Sequence, residues 1–198
     1  MIKLIIQATL QKIVWIVLCG VLYPLAMTAL AQLAFPDKAN GSLVMRDGKL
    51  VGSTLLAQQF TGNTYFWPRP SAATYGTGPS GIAGSSGSNF GPTSAQLQTN
   101  VRANAKALRD AHKLPADAPV PADLVYASGS GLDPHISPEA ARFQIGRVAA
   151  ARGMDKEKVR ALVEQHIEPP QWGFLGEARV NVLLLNLALD EADARRAR

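Results

Sequence analysis

The chain is poor in the residues that most often carry chemistry. Its 198 residues include one cysteine and three histidines. The single thiol, Cys19, excludes an intrachain disulfide framework, and the thiol-free remainder is compatible with an oxidising compartment. Asp133 and His135 are two potential metal ligands separated by one residue. A metal site needs three or four, and His112 and His166 stand alone on predicted helices, so no metal centre is expected. No GxxxxGK[ST] phosphate loop occurs. No basic run is interleaved with aromatics, so nucleic-acid binding is not supported. The last absence is the most informative: Ile13 to Phe35 carries no charge at all.

That uncharged run is 23 residues long, between Lys12 and the Asp37-Lys38 pair. A hydrocarbon core needs about 20 residues of helix. Three readings compete: a retained membrane anchor, a cleaved secretory signal, and a buried core helix. Lys3 and Lys12, with Ala29-Leu30-Ala31 as a small-x-small site, fit the signal reading. The run exceeds the usual apolar region of a signal and continues past Ala31, which favours the anchor. Pro24 lacks a backbone donor and predicts a kink, and Gly20 and Ala26 suit close helix packing. Basic residues flank both sides, so the charge count barely sets orientation. A short basic segment before an anchor usually leaves the N-terminus in the cytoplasm.

Only Lys3 and Lys12 precede Asp37. The part beyond the run therefore has 18 basic against 15 acidic side chains, a mild +3. Its roughly 160 residues suffice for one domain with its own core. Ser42 to Ser53, with Asp47-Gly48 between β-prone runs, reads as a hairpin. Leu55 to Phe60 is expected as a third strand or a short helix. Tyr65-Phe66-Trp67, closed by Pro68 and Pro70, reads as an edge strand or extended loop. Ala72 to Ser94 is glycine- and serine-rich; Tyr75, Ile82, Asn89 and Phe90 punctuate it, which favours an ordered loop over a linker. Helices then dominate. One runs from a cap at Thr93 or Ser94 to about Lys113, burying Leu97, Val101, Ala105 and Leu108. A second starts at Ser137-Pro138-Glu139, carries Ala141, Ile145 and Val148 inward, and stops near Gly153. Asp155 caps a third, with Val159, Leu162, Val163 and His166 on one face. Val180 to Ala194 reads as a fourth, with Val180-Asn181-Val182 able to begin as a strand.

The densest constellation is Ala127-Ser128-Gly129-Ser130-Gly131-Leu132-Asp133-Pro134-His135. Its glycines and the helix start at Ser137 suit an anion, but the spacing is not GxGxxG, and a turn-and-cap assembly is the plainer reading. A nucleophilic Ser130 with His135 as base lacks the GxSxG elbow. Gln144 reads as a solvated helical glutamine or as a hydrogen-bonding contact.

Several ordered segments resemble the KdpC family, the C subunit of the potassium-transporting Kdp ATPase of bacteria and archaea. They begin with the anchor, then Gly52-Ser53-x-Leu55 with Gln58 or Gln59 and Phe60. Tyr65-Phe66 with Arg69-Pro70-Ser71-Ala72 and Gly87-Ser88-Asn89 before Gly91-Pro92-Thr93 follow. Ala127 to Asp133 leads to Ile136-Ser137-Pro138, Ala140-Ala141, Gln144 and Arg147-Val148-Ala149. The last are Gly173-Phe174-Leu175-Gly176-Glu177, Arg179-Val180-Asn181-Val182 and Leu185-Asn186-Leu187-Ala188-Leu189. Pro169-Pro170, Ala178 and Ser86 depart from the family pattern and bear on local loop shape.

The resemblance implies a complex with a channel-like potassium-binding subunit and a P-type ATPase subunit. The DKTGT phosphorylation motif of the latter is absent here. The family is described as aiding assembly and as a catalytic chaperone raising ATP affinity, with Gln144 the implied nucleotide contact. The expected fold is α+β: one transmembrane helix, then one soluble mixed domain with a short hairpin and about four helices. Residues 1–36 form the cytoplasmic N-terminus and anchor, and 37–198 the periplasmic domain. The expected function is a non-catalytic accessory subunit, single-pass in the inner (plasma) membrane, with the lipid bilayer and the two Kdp subunits as partners. No cofactor of its own is expected; ATP enters through the catalytic subunit. Interface candidates are Tyr65, Phe66, Arg69, Asn89 and Ser128, Gly129, Ser130 and Gly131. The rivals are a membrane-tethered hydrolase using Ser130 and His135, and a directly nucleotide-binding subunit.

Overall fold

A computed structural model describes residues 1–73 and 84–196. The chain divides into two compact units, Met1–Ser53 and Thr54–Arg198. The fold is α+β, with a single apolar N-terminal helix followed by helices and two small antiparallel sheets.

In the first unit, one continuous helix runs over Ile2–Ala34, and no residue of it is buried. At 1.5 Å per residue it is about 50 Å long, enough to cross a bilayer. It comprises α1 (Ile2–Val17), a π-turn (Leu18–Leu22) and α2 (Tyr23–Ala34). The π-turn is how the helix meets Pro24. The proline has no N–H for the Gly20 carbonyl and its ring crowds that group. The widened turn gives the Tyr23 N–H to the Leu18 carbonyl instead, and the helix continues. Helix α3 (Pro36–Ala39) follows, then β1 (Leu43–Arg46) and β2 (Lys49–Ser53). Asp47 and Gly48 both have positive φ, 50° and 73°, as a two-residue type I′ turn requires. Opposite Val44 and Met45 the register slips by one residue, leaving Val51 as the bulge.

The second unit holds α4 (Ala95–His112), α5 (Pro138–Arg152), α6 (Lys156–Gln165) and α7 (Val182–Arg196). Ser94, Ser137 and Asp155 cap the first three through side-chain oxygens that accept N–H bonds from Leu97, Ala140 and Glu157. Lys113 and Gly153 end α4 and α5 in the left-handed conformation. Strand β5 (Arg179–Asn181) lies between β3 (His135–Ile136) and β4 (Ile167–Glu168). So Val180 and Asn181 are strand and Val182 opens the helix, with the Asn181 carboxamide accepting from Leu184 N–H as its cap. The core gathers Ala141, Ile145 and Val148 of α5, Val159 and Val163 of α6, Leu185 and Leu189 of α7, Val180 at the sheet centre, and Ala105 and Leu108 of α4.

One expectation needs correction. Leu55 to Phe60 is neither strand nor helix; it is irregular, held where Ala57 N–H donates to the Leu132 carbonyl at 2.9 Å. Of the two alternatives for Tyr65 to Trp67, the structure has the loop: the segment leaves a turn at Gly62–Tyr65 and pairs into neither sheet. Of the glycine-rich loop, Tyr75 and Ile82, with Gly76, Gly78 and Gly81, lie outside the described residues.

Core truncation and cap removal should separate in magnitude. We expect Leu185→Ala to lower unfolding free energy by about 2–5 kcal/mol, and Ser137→Ala by about 1 kcal/mol. Denaturant melts of the full chain in detergent check both.

Candidate functional site

The Tyr65–Trp67 segment enters the core without a strand partner, so its backbone polar groups need side chains. Two amides supply them. Asn186 of α7 accepts the Phe66 N–H at 2.8 Å and donates to the Phe66 carbonyl at 3.0 Å. Gln144 of α5 does the same for Trp67, at 2.8 and 3.1 Å. Each carboxamide thus imitates a neighbouring strand for one residue. Phe66 and Gln144 are both 0% exposed.

Two arginines of α5 complete the clamp. Arg147 donates to the carbonyls of Asn63 (2.8 Å) and Tyr65 (3.0 Å) and to Gln144 Oε1 (2.6 Å), and stacks 4.0 Å from the Trp67 ring. Its Nε donates to His112 Nε2 at 3.2 Å. That bond requires a neutral His112 with its lone pair on Nε2. Burial first, and the Arg147 charge second, lower the His112 pKa to about 4. Burial alone lowers that of Arg147 to about 10, so it remains charged at neutral pH. Arg152 donates to the Thr64 carbonyl, pairs with Asp190 (2.8 Å) and Asp193 (2.6 Å) of α7, and lies over the Tyr65 ring.

A second assembly surrounds the Ser128–Gly131 turn. Arg69 pairs with Asp133 at 3.0 Å. Burial would raise the Asp133 carboxyl, but hydrogen bonds from His135 and Arg69 together outweigh it and hold the pKa below its usual value. Ser128 N–H donates to the Pro70 carbonyl, Ser71 Oγ to the Gly131 carbonyl at 2.6 Å, and Ser86 N–H to the Ser130 carbonyl at 2.9 Å. The turn is therefore the seam between the Arg69–Ala73 segment and residues 84–87. Glycine is required at Gly131: φ is +69°, and a Cβ there would sit 2.5 Å from the Ser86 carbonyl oxygen.

These placements sort the predicted residues. Tyr65 and Arg69 are half-buried, Asn89, Gly129 and Ser130 are exposed, and Phe66, Ser128 and Gly131 are buried. Phe66 is a core anchor with no surface to offer a partner. Ser130 Oγ accepts the Leu132 N–H at 3.1 Å while His135 lies against Asp133 at 3.6 Å; among the described residues no hydrogen bond joins the two. Gln144 uses both ends of its carboxamide inside the core, so a nucleotide would have to displace Trp67 to reach it. Among the described residues no group of three or more His, Cys, Asp or Glu could hold a metal.

Among the described residues the most exposed aromatics lie elsewhere, on a tight turn closed by the Gln171–Leu175 bridge. Trp172 is 86% exposed and Phe174 72%. Trp172, Gly173 and Gly176 have positive φ, and backbone bonds from Gly173 to Pro170 and from Phe174 to Gln171 hold the turn. Sequence reasoning missed this turn, though a Trp-Gly-Phe between a proline pair and Gly176 signals aromatics with nothing local to bury them.

A family model described as KdpC, the c chain of K+-transporting ATPases, matches residues 5–191. The chain belongs to the KdpC family. Among its relatives is the potassium-transporting ATPase KdpC subunit of Sorangium cellulosum, 57% identical over 177 residues, covering 88% of this chain and 90% of the relative. The KdpC subunit of Geobacter sulfurreducens is 53% identical, covering 92% and 95%. That of Rhodospirillum rubrum is 57% identical, covering 88% of each. The clamp and the Ser128–Gly131 seam both lie within the matched span.

Losing one amide should orphan two backbone groups, buried at Phe66 and part-buried at Trp67. We expect Asn186→Leu to cost about 2–6 kcal/mol, because each unmet buried group costs about 1–3 kcal/mol, and Gln144→Leu to fall toward the lower end of that range because the Trp67 groups are part-buried. Thermal melts of the full chain check this. His112 gives a pH test. Its pKa is near 4 folded and 6.5 unfolded, so the unfolded state binds the extra proton between these values. Its contribution is complete above pH 6.5 and is lost as pH falls toward 4. His112→Gln, which keeps an acceptor for Arg147, should flatten the stability–pH curve in that window relative to the parent chain.

Proposed function

We propose that this chain is a non-catalytic accessory subunit of an ATP-driven potassium-uptake complex. Family membership supports the complex, since the relatives are named as subunits of a potassium-transporting ATPase. The non-catalytic role rests on how the polar residues of the candidate constellation are used. Gln144, Asn186, Arg147, Ser128 and Ser130 are all engaged in holding backbone. A scaffold of this kind presents a rigid surface rather than a reacting group.

Residues 1–36 cross the inner membrane once, with the N-terminus in the cytoplasm, and residues 37–198 lie on the periplasmic side. The partners are the channel-like potassium-binding subunit and the P-type ATPase subunit. The fixed Trp172–Leu175 turn is the leading docking point, because two rings at 86% and 72% exposure on a constrained loop are what a buried interface anchor resembles before assembly. Arg69, Tyr65, Asn89 and the exposed Gly129-Ser130 tip contribute polar contacts. With Gln144 sealed, any effect on ATP affinity passes through the catalytic subunit rather than through a nucleotide bound here.

Protease added to intact spheroplasts should digest the domain; full protection would place it in the cytoplasm and end the topological reading. Removing the chain should cost the complex its integrity or its potassium-stimulated ATP turnover. The double variant Trp172→Ser, Phe174→Ser should keep the parental melting temperature yet co-purify with fewer partner subunits. Unchanged co-purification would remove the turn from the interface.

A further inference from the structure

We infer that the β1–β2 hairpin lies flat on the bilayer surface as an interfacial element, its apolar face among anionic lipid headgroups. The inference rests on the Ile2–Ala34 helix spanning a membrane. The hairpin exposes three large apolar side chains, Leu43 (57%), Met45 (59%) and Leu50 (58%). The pairing puts them together: Met45 is directly opposite Leu50, and Leu43 lies two residues along the same strand. The Val51 bulge preserves this, since Leu50 precedes the slip and keeps the face of Met45.

The hairpin cannot leave the helix end. Only eight residues separate Ala34 from Leu43, and they are folded. The Gln32 and Asn40 carboxamides bond each other reciprocally at 3.3 and 3.2 Å, and Asn40 Nδ2 also donates to the Pro36 carbonyl at 2.8 Å. Ser42 N–H donates to the Asp37 carbonyl at 2.8 Å, and Ser53 Oγ at the far end of β2 to the Gly41 carbonyl at 2.6 Å. A helix whose uncharged run ends at Phe35 therefore delivers the hairpin to the interfacial zone.

Charge favours lipid as the occupant. Lys38 lies 5.8 Å over the exposed Phe35 ring, and Arg46 and Lys49 face each other beside the turn. Asp37 and Asp47 offset part of this, leaving the segment at one net positive charge. Arg46 and Lys49 alternate with Met45 and Leu50, so they stand on the opposite, polar face of the hairpin and add attraction to anionic lipid from there.

Spin labels on the full chain in nanodiscs test the inference. One label sits on native Cys19; others sit at Met45→Cys, Leu50→Cys and exposed Thr99→Cys in a Cys19→Ala background. Oxygen and nickel-chelate accessibility reads lipid against water. Labels at 45 and 50 should shift toward lipid relative to 99, and further when phosphatidylglycerol replaces part of the phosphatidylcholine. Lys38→Gln with Arg46→Gln and Lys49→Gln should abolish that lipid dependence. Labels at 45 and 50 that match 99 in both lipids overturn the inference, and so does a lipid shift indifferent to phosphatidylglycerol. Shielding from both reagents in the assembled Kdp complex would assign the face to a partner protein and also overturn it. An aqueous Cys19 would defeat the spanning helix itself, whereas a lipid-embedded Cys19 beside an aqueous hairpin defeats this inference alone.

Discussion

The second unit depends on satisfying an extended segment that has no strand beside it. Phe66 is the largest fully buried side chain there, and burying it draws the backbone of Tyr65–Trp67 partly or wholly out of water. A buried, unpaired N–H or C=O costs about as much as a lost hydrogen bond. Asn186, Gln144, Arg147 and Arg152 meet that cost from two different helices. The same four residues thereby set the positions of α5 and α7 relative to the aromatic segment.

The clamp is also an electrostatic device. Arg147 is buried against carbonyls, an amide, an imidazole and a ring, with no carboxylate among those partners. Its charge is spread over neutral dipoles, and His112, kept neutral first by burial and second by that charge, is one of them. Arg152 solves the same problem differently, with two aspartates of α7. One arginine serves rigidity through a neutral network, the other through a charged one that faces water on one side.

Much of this was legible beforehand, for local reasons. The hairpin turn followed from the backbone geometry of Asp-Gly, and the helix starts from Ser94, Ser137 and Asp155. The charge-free run marked the long apolar helix. Motif order, rather than any single residue, carried the family. The site was less legible. Phe66 stood among the interface candidates because nothing near it in sequence shows what would bury it, and Gln144 looked available because helical glutamines usually face water. Leu55 to Phe60 has strand composition but finds its partner in the Leu132 carbonyl, far away in sequence.

Sequence alone settled what depends on near neighbours: the helices and their caps, the I′ turn, and a stretch too apolar for water. Only the tertiary structure decided which polar side chains are spent inside and which surfaces remain outside. Asn186 reaches Phe66 across 120 positions and Gln144 reaches Trp67 across 77. A carboxamide carries the same two hydrogen-bonding ends wherever it stands. What it bonds depends on which backbone the fold leaves without a partner, and that is a property of packing rather than of the residue.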